Sequence, residues 1–262
     1  MNLSNVSNIR FNGSDVKLAK IDGIIVYKKE EEDALLIVRY TTNASGVLPT
    51  FNDTFEGYEI EEDNNNGIYT VTIRTNKEDN LPTSINFNGK SNLLAVEYLN
   101  ANNITDMSFM FYGCNNLTAL DLSNFDTSEV ANMCGMFFDC TNLTLLDLSN
   151  FDTSKVIDIS YMFYNCTNLT SLDLSNFDCS KVTNMGEMFY SCNKLTSLDS
   201  MKNIATNLRL PASLNEESVL DVIDNLATVA TTKTLNMSAI QLSWVSEDKI
   251  IEANNKGWTI SA

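Results

Sequence analysis

Between Ile104 and Leu198 one phrase is written four times: Met110-Phe111-Tyr112-Gly113-Cys114, Met136-Phe137-Phe138-Asp139-Cys140, Met162-Phe163-Tyr164-Asn165-Cys166 and Met188-Phe189-Tyr190-Ser191-Cys192. The four cysteines stand a constant 26 residues apart. After each comes Leu-x-x-Leu-Asp-Leu-Ser-Asn-Phe-Asp, intact from Leu117, Leu143 and Leu169, while the fourth copy keeps Leu195, Leu198 and Asp199 and then drifts. A fixed period of this length is the mark of a chain built from stacked units, and a degenerate last copy is how such a stack ends.

The spacing within a unit predicts its shape. Leu120 and Leu122, two apart, fall on one face of a strand, with Asp121 and Ser123 on the other. Val130-x-x-Met133-x-x-Met136-Phe137 has helical spacing. Each unit therefore reads as a short strand followed by a turn or two of helix or 3₁₀. Stacking sets Leu on Leu, Phe on Phe and Met on Met along one elongated core with a parallel sheet on one side. The expected fold class is α/β, a solenoid of parallel strands and short helices.

The phrase Met-Phe-x-x-Cys-x-x-Leu-x-x-Leu-Asp-Leu-Ser-Asn-Phe-Asp-Thr-Ser-x-Val resembles the leucine-rich repeat of bacterial surface proteins of the BspA type, including their phage-encoded relatives. The resemblance covers about residues 92–208 if a degenerate first unit is counted, with Leu94, Val96, Leu99, Ile104 and Met107 each 26 positions before a repeat residue. It implies a scaffold for recognition, since a fold of this kind is defined by its frame and not by a reactive site.

The flanks differ from the repeats. Residues 1–33 read as a hairpin module, with strands Ile9–Phe11, Val16–Lys20 and Ile24–Tyr27, turns at Asn12-Gly13-Ser14-Asp15 and Asp22-Gly23, and a charged linker from Lys28 to Asp33. The Ile-Asp-Gly-Ile-Ile-Val-Tyr ending is similar to short segments at the ends of phage tail and baseplate proteins, which implies attachment to other virion tail proteins. Residues 34–90 read as a β-rich unit (Ala34–Tyr40, Tyr58–Ile60, Ile68–Arg74) able to cover the open end of residues 91–208. Residues 209–262 read as an α/β cap. Asn215 caps a helix with Val219, Val222, Ile223 and Leu226 on one face, Thr234–Met237 forms a strand, Ser246 caps a second helix with Ile250 and Ile251 inward, and Gly257 ends it. The closing Lys-Gly-Trp also resembles phage-encoded members of the family.

The chain of 262 residues carries a net charge of −17, with the largest share, −9, on residues 91–208. Such a surface repels phosphate, which argues against nucleic acid and anionic membrane as partners. No apolar run approaches the roughly 20 residues of a membrane span, and the polar opening Met1–Asn5 reads as lacking a secretory signal. The expectation is synthesis in a bacterial cytoplasm. Four of the six cysteines are repeat positions and read as a ladder of small buried thiols. No Cys-x-x-Cys pair and no histidine occur, so no metal, no cofactor and no nucleophile-histidine site is expected.

Candidate binding residues lie on the outward ladders. Asp121, Asp147, Asp173 and Asp199 repeat a carboxylate that would repel its neighbours. Hydrogen bonds to adjacent turns or simple solvation account for it, whereas calcium would want six to eight oxygens. Asn116, Asn142 and Asn168, with Asn124, Asn150 and Asn176, read as amides that satisfy backbone groups in the turns. Tyr112, Phe138, Tyr164 and Tyr190 follow an inward Phe, either as a partly exposed row suited to sugars and proteins or as packing at the rim of the stack. Leu145, Ser171, Lys155 and Lys181 vary on a constant frame in the middle units. These features lead to the expectation of a non-enzymatic phage tail protein, localised to the virion, that presents its repeats to a host cell-surface protein or glycan. The alternatives are a bacterial cell-surface adhesin of the BspA type and a tailspike-like glycan depolymerase.

Overall fold

The computed structural model describes residues 7–11, 14–21, 24–28, 36–42, 50–51, 59–65, 68–75, 84–101, 104–118, 120, 122–123 and 125–262. The chain divides into two compact units, Met1–Ala34 and Leu35–Ala262. In the first, β1 (Ser7–Phe11), β2 (Ser14–Ile21) and β3 (Ile24–Lys28) form an antiparallel meander, with Ser7 opposite Leu18 and Lys17 opposite Lys28. Ser14 and Asp15, expected in the first turn, instead open β2 opposite Phe11 and Arg10, while Asn12-Gly13, Asp22-Gly23 and the linker beyond Lys28 lie outside the described residues.

The second unit is mixed α/β, with short parallel strands and few helices. It opens with β4 (Leu36–Thr42), β5 (Thr50–Phe51), β6 (Glu59–Asn65), β7 (Ile68–Thr75), β8 (Ile85–Asn86) and β9 (Leu93–Ala101). Four of these make an antiparallel sheet in the order β6-β7-β4-β9, in which Tyr40 lies opposite both Val71 and Val96, and β5 pairs with β8. This corrects the strand half of the expected degenerate first unit, at Leu94, Val96 and Leu99, while its Ile104 and Met107 are buried at the repeat's positions. Leu93–Ala101 is one nine-residue strand that closes the free edge of β4. The first rung lies earlier: Ser84 bridges Asp106 in parallel, Phe87 N–H donates to Met110 O, and Gly89 N–H donates to Tyr112 O.

From there parallel bridges run Asp106 to Asn132 to Asp158 to Asn184, each step 26 residues. Alternate N–H groups bond to the following unit: Met133 to Asp158 O, Gly135 to Ser160 O, Phe137 to Met162 O and Asp139 to Tyr164 O, at 2.8–2.9 Å. The intervening ones fold back three residues, as Met136 N–H does to Met133 O and Cys140 N–H to Phe137 O. This segment, expected as a turn or two of helix or 3₁₀, keeps the three-residue bonds of 3₁₀ turns but runs as a chain of turns and not as a helix. Left-handed residues at Phe109, Gly135, Tyr161 and Glu187 (φ 53–59°), and again at Gly113, Asp139, Asn165 and Ser191 (φ 58–68°), break any helix twice per unit. The helical spacing survives only as a burial pattern, since Met133, Met136, Phe137 and Cys140 are all fully buried.

The leucine side also differs from expectation. Among the described residues strand pairing there is confined to β10 (Ser171–Asp173) and β11 (Ser197–Asp199), parallel with Leu172 opposite Leu198. Leu120 and Leu146 are half-buried at its margin, while Leu122, Leu148, Leu172 and Leu174 are buried. A spine of rings runs through the interior: Phe87, Phe111, Phe137, Phe163 and Phe189 stack at centroid distances of 5.6–5.9 Å with planes within 12° of parallel.

Beyond the repeats the same core continues. β12 (Leu208–Arg209) is followed by α1 (Glu216–Asp224), whose N-cap Asn215 accepts from Ser218 N–H and whose Val219, Val222 and Ile223 are buried. β13 (Lys233–Asn236), the capping box of Ser238 and Gln241 that opens α2 (Ala239–Leu242), α3 (Glu247–Asn255) capped by Ser246, and β14 (Trp258–Ser261) complete the chain. β12, β13 and β14 are parallel. Ile250 packs on the core, but Ile251, read as inward, is 49% exposed, since the next residue of a helix is turned about 100° away.

Candidate functional site

Three outward features come from the repeat, and they differ in what the frame does with them. The carboxylate ladders are spent on turns. Asp147 and Asp173 are exposed, and each accepts at Oδ1 from the N–H two residues on, Ser149 and Ser175 respectively, at 2.9 Å. The same turn recurs at Asp126, Asp152 and Asp178. Hydrogen bonds from Ser149 and Ser175 hold the Asp147 and Asp173 carboxyls below the ordinary range, with the side-chain bond the larger contribution in each. Asp121 lies outside the described residues.

Amides and hydroxyls join the units. Asn150 Nδ2 donates to Leu122 O and Phe125 O, and Asn176 Nδ2 to Leu148 O and Phe151 O. Asn116 and Asn168 reach back to Ser91 O and Thr141 O. Buried Thr127 and Thr153 each accept from and donate to the next unit's backbone. The cysteine ladder works the same way. Cys114, Cys140, Cys166 and Cys192 donate from Sγ to the carbonyls of Phe87, Phe111, Phe137 and Phe163 at 3.0–3.2 Å. All six cysteines are free thiols. Burial pushes Cys114, Cys179 and Cys192 up to about 12, and Cys140 and Cys166 well above the ordinary value.

The candidates on the leucine side fall into two groups. Leu145, Asp147, Ser171 and Asp173 line a shallow depression of about 530 Å³ together with Leu120 and Thr144. Leu145 is 67% exposed there. Neither Lys155 nor Lys181 lines it; Lys155 Nζ instead pairs with Glu129 of the preceding unit at 2.6 Å.

The aromatic row forms the most concentrated surface. Tyr112, Phe138, Tyr164 and Tyr190 follow one another at centroid distances of 5.0, 4.4 and 4.9 Å, the last two contacts being near-parallel stacks. Two rings that the sequence reading passed over complete it. Phe109 packs edge-on to Tyr112 and tilts over Phe138, and Tyr161 does the same between Phe138 and Tyr164. Both hold left-handed backbone, a strained choice for a bulky residue, and both are more than a third exposed. Gly135 holds the equivalent position between them, and a Cβ there would lie 2.4 Å from Phe109 Cε1, so the Phe109 ring needs the glycine. Their signal was available: Phe109, Gly135, Tyr161 and Glu187 are one 26-residue column in which two aromatics stand one turn before the row.

Among the described residues no helix is long and apolar enough to cross a membrane. Residues 82–203, a little under half of the chain, match a family described as "Mycoplasma protein of unknown function, DUF285". No curated protein and no solved structure matches the chain.

Proposed function

We propose that Leu35–Ala262 is a leucine-rich-repeat solenoid, capped at its start by β4–β9 and at its end by α1–β14, and that it works without catalysis as a recognition surface on a phage tail. Met1–Ala34 is the attachment module to other tail proteins, and the bacterial envelope is the target. The observation that carries this reading is the aromatic row from Phe109 to Tyr190, held on a frame whose hydrogen bonds run from unit to unit. Rings fixed before a partner arrives lose little freedom on binding. The even repetition of carboxylates across units supports a binding role over hydrolysis, which needs one acid set apart from its neighbours. Acidic surface supports a glycan or protein partner over nucleic acid.

A second reading, a bacterial surface adhesin, is favoured by the bacterial source in the matched family's description. The test has two arms. Labelled full-length protein should bind bacterial cells saturably and compete with phage particles. The double variant Phe109→Ser/Tyr161→Ser should weaken that binding by about tenfold or more. Binding unchanged in the double variant removes the aromatic row from the reading. Antibody to the chain should decorate purified particles; decoration of the producing cell's surface instead selects the adhesin.

A further inference from the structure

The aromatic row ends at a cavity. A ring inside the row has both faces covered by its neighbours, so it offers a partner only its edge. Tyr190 is different. Tyr164 covers one face, while the position one period further on is Glu216, at the start of α1, so no fifth ring follows. Tyr190 is 47% exposed and lines a cavity of about 880 Å³ formed between the fourth repeat and the segments around β12 and β13.

The chemistry of that cavity departs from the rest of the row. Glu187 stands where earlier units carry Phe109, Gly135 and Tyr161, on the same left-handed backbone, and puts a carboxylate at the cavity in place of a ring. Arg209, across from it on β12, forms no ion pair among the described residues, and neither does Glu187. Asn193 and Asn236 add carboxamides, and Ser261 Oγ donates to Asn236 Oδ1, which fixes that amide's orientation. An open aromatic face flanked by one carboxylate, one guanidinium and two carboxamides suits a ring with one apolar face and a rim of hydroxyls. Adjacent hydroxyls match the paired oxygens of a carboxylate and the fork of an arginine, while the C–H face lies on the tyrosine. The chain's net charge of −17 disfavours an anionic ring.

We infer that this cavity binds a single neutral pyranose unit of a glycan, stacked on Tyr190 and held through its hydroxyls by Glu187, Arg209, Asn193 and Asn236. The inference rests on the recognition reading above and gives its target a chemical class. The test uses the full chain and saturation-transfer NMR with N-acetyl-D-glucosamine, D-glucose, D-galactose and L-rhamnose at millimolar concentration. At least one should receive saturation. Its affinity should fall by about tenfold in Tyr190→Ala, the scale of one lost aromatic contact, and similarly in Arg209→Ala, whose exposed side chain is no part of the core, while Ile251→Ala, an exposed residue of α3 outside the cavity's lining, leaves it unchanged. Saturation transfer from none of the four sugars overturns the inference. So does transfer that survives both Tyr190→Ala and Arg209→Ala. Cells still bound by a chain that takes up no sugar would sink the cavity and leave the recognition surface standing; sugar bound in the cavity by a chain that ignores every cell would do the reverse.

Discussion

The two long sides of the repeat are held together differently. On the turn side, from Met107 through Gly113 and in the two copies after it, alternate N–H groups bond to the next unit and the others close turns, and every inward Met, Phe and Cys is buried. On the leucine side, strand pairing among the described residues joins only the third and fourth copies, Leu120 and Leu146 are half-buried, and a depression opens where Thr144–Asp147 faces its neighbours. The residues that dominate the consensus by eye are thus not the ones that tie the units together. The stack is clamped along Met-Phe-x-x-Cys, and the leucines fill the space that the clamp defines.

The largest effect that could break this comparison is on the Phe spine. Phe137 lies between Phe111 and Phe163 at 5.6 and 5.7 Å with no exposed surface. Phe137→Ala should cost about 3–5 kcal/mol in urea unfolding, whereas Leu146→Ala, at a half-buried margin able to relax, should cost less than about 2 kcal/mol. Equal losses would mean that the leucine side is packed as tightly as the turn side.

Much of this was readable from the sequence, and what was not has a physical cause. The period gave the stacking, and Asn215, Ser246 and Gly257 marked helix ends because caps and left-handed stops are local chemistry. The spacing Val130-x-x-Met133-x-x-Met136-Phe137 pointed to a helix because burial at intervals of three and four is shared by a helix and by a run of turns with left-handed joints. Aromatics at Phe109 and Tyr161 gave no warning of that backbone, since the residue types that favour it are glycine and asparagine. Leu93–Ala101 matched repeat positions by number, yet its pairing with β4 depends on a strand more than fifty residues away in the chain. The surface row was half legible: Tyr112, Tyr164 and Tyr190 followed from the repeat, while the cavity at Tyr190 depends on where the C-terminal strands return.

A smaller effect tests the thiol ladder within the clamp. Cys140→Ala removes a donor to Phe111 O, which still accepts from Cys114 N–H, so the cost should be about 1–2 kcal/mol including the small cavity left behind. Added reductant should leave the melting temperature unchanged, because all six cysteines are thiols. Alkylation at neutral pH should label half-buried Cys134 first and the four ladder cysteines only on unfolding, since burial holds them protonated. Early labelling of Cys140 or Cys166, read by peptide mass spectrometry, would show the turn side opening more readily than the leucine side.

The smallest effect expected is in acid, and it should fall first on the leucine side. Asp147 and Asp173, with Asp126, Asp152 and Asp178 in the following turn, have carboxyls held below the ordinary range, chiefly by hydrogen bonds from Ser149, Ser175, Ser128, Ser154 and Asn203 respectively. A carboxyl depressed in the folded state binds its proton more readily once unfolded, so its contribution is complete above the unfolded value and is lost as pH falls through the folded one. Stability should therefore be flat with respect to these groups above about pH 5 and decline only below about pH 4. These carboxylates are largely solvated, so each contributes little; the decline should come from several small losses together. The clamp depends instead on backbone ladders and buried thiols that do not titrate in this range. Amide exchange at pH 3.5 compared with pH 6, corrected for the intrinsic rates, should show protection falling at Ser149 and Ser175 while Phe137 and Phe163 keep theirs. Loss at all four together would make the two sides one cooperative unit.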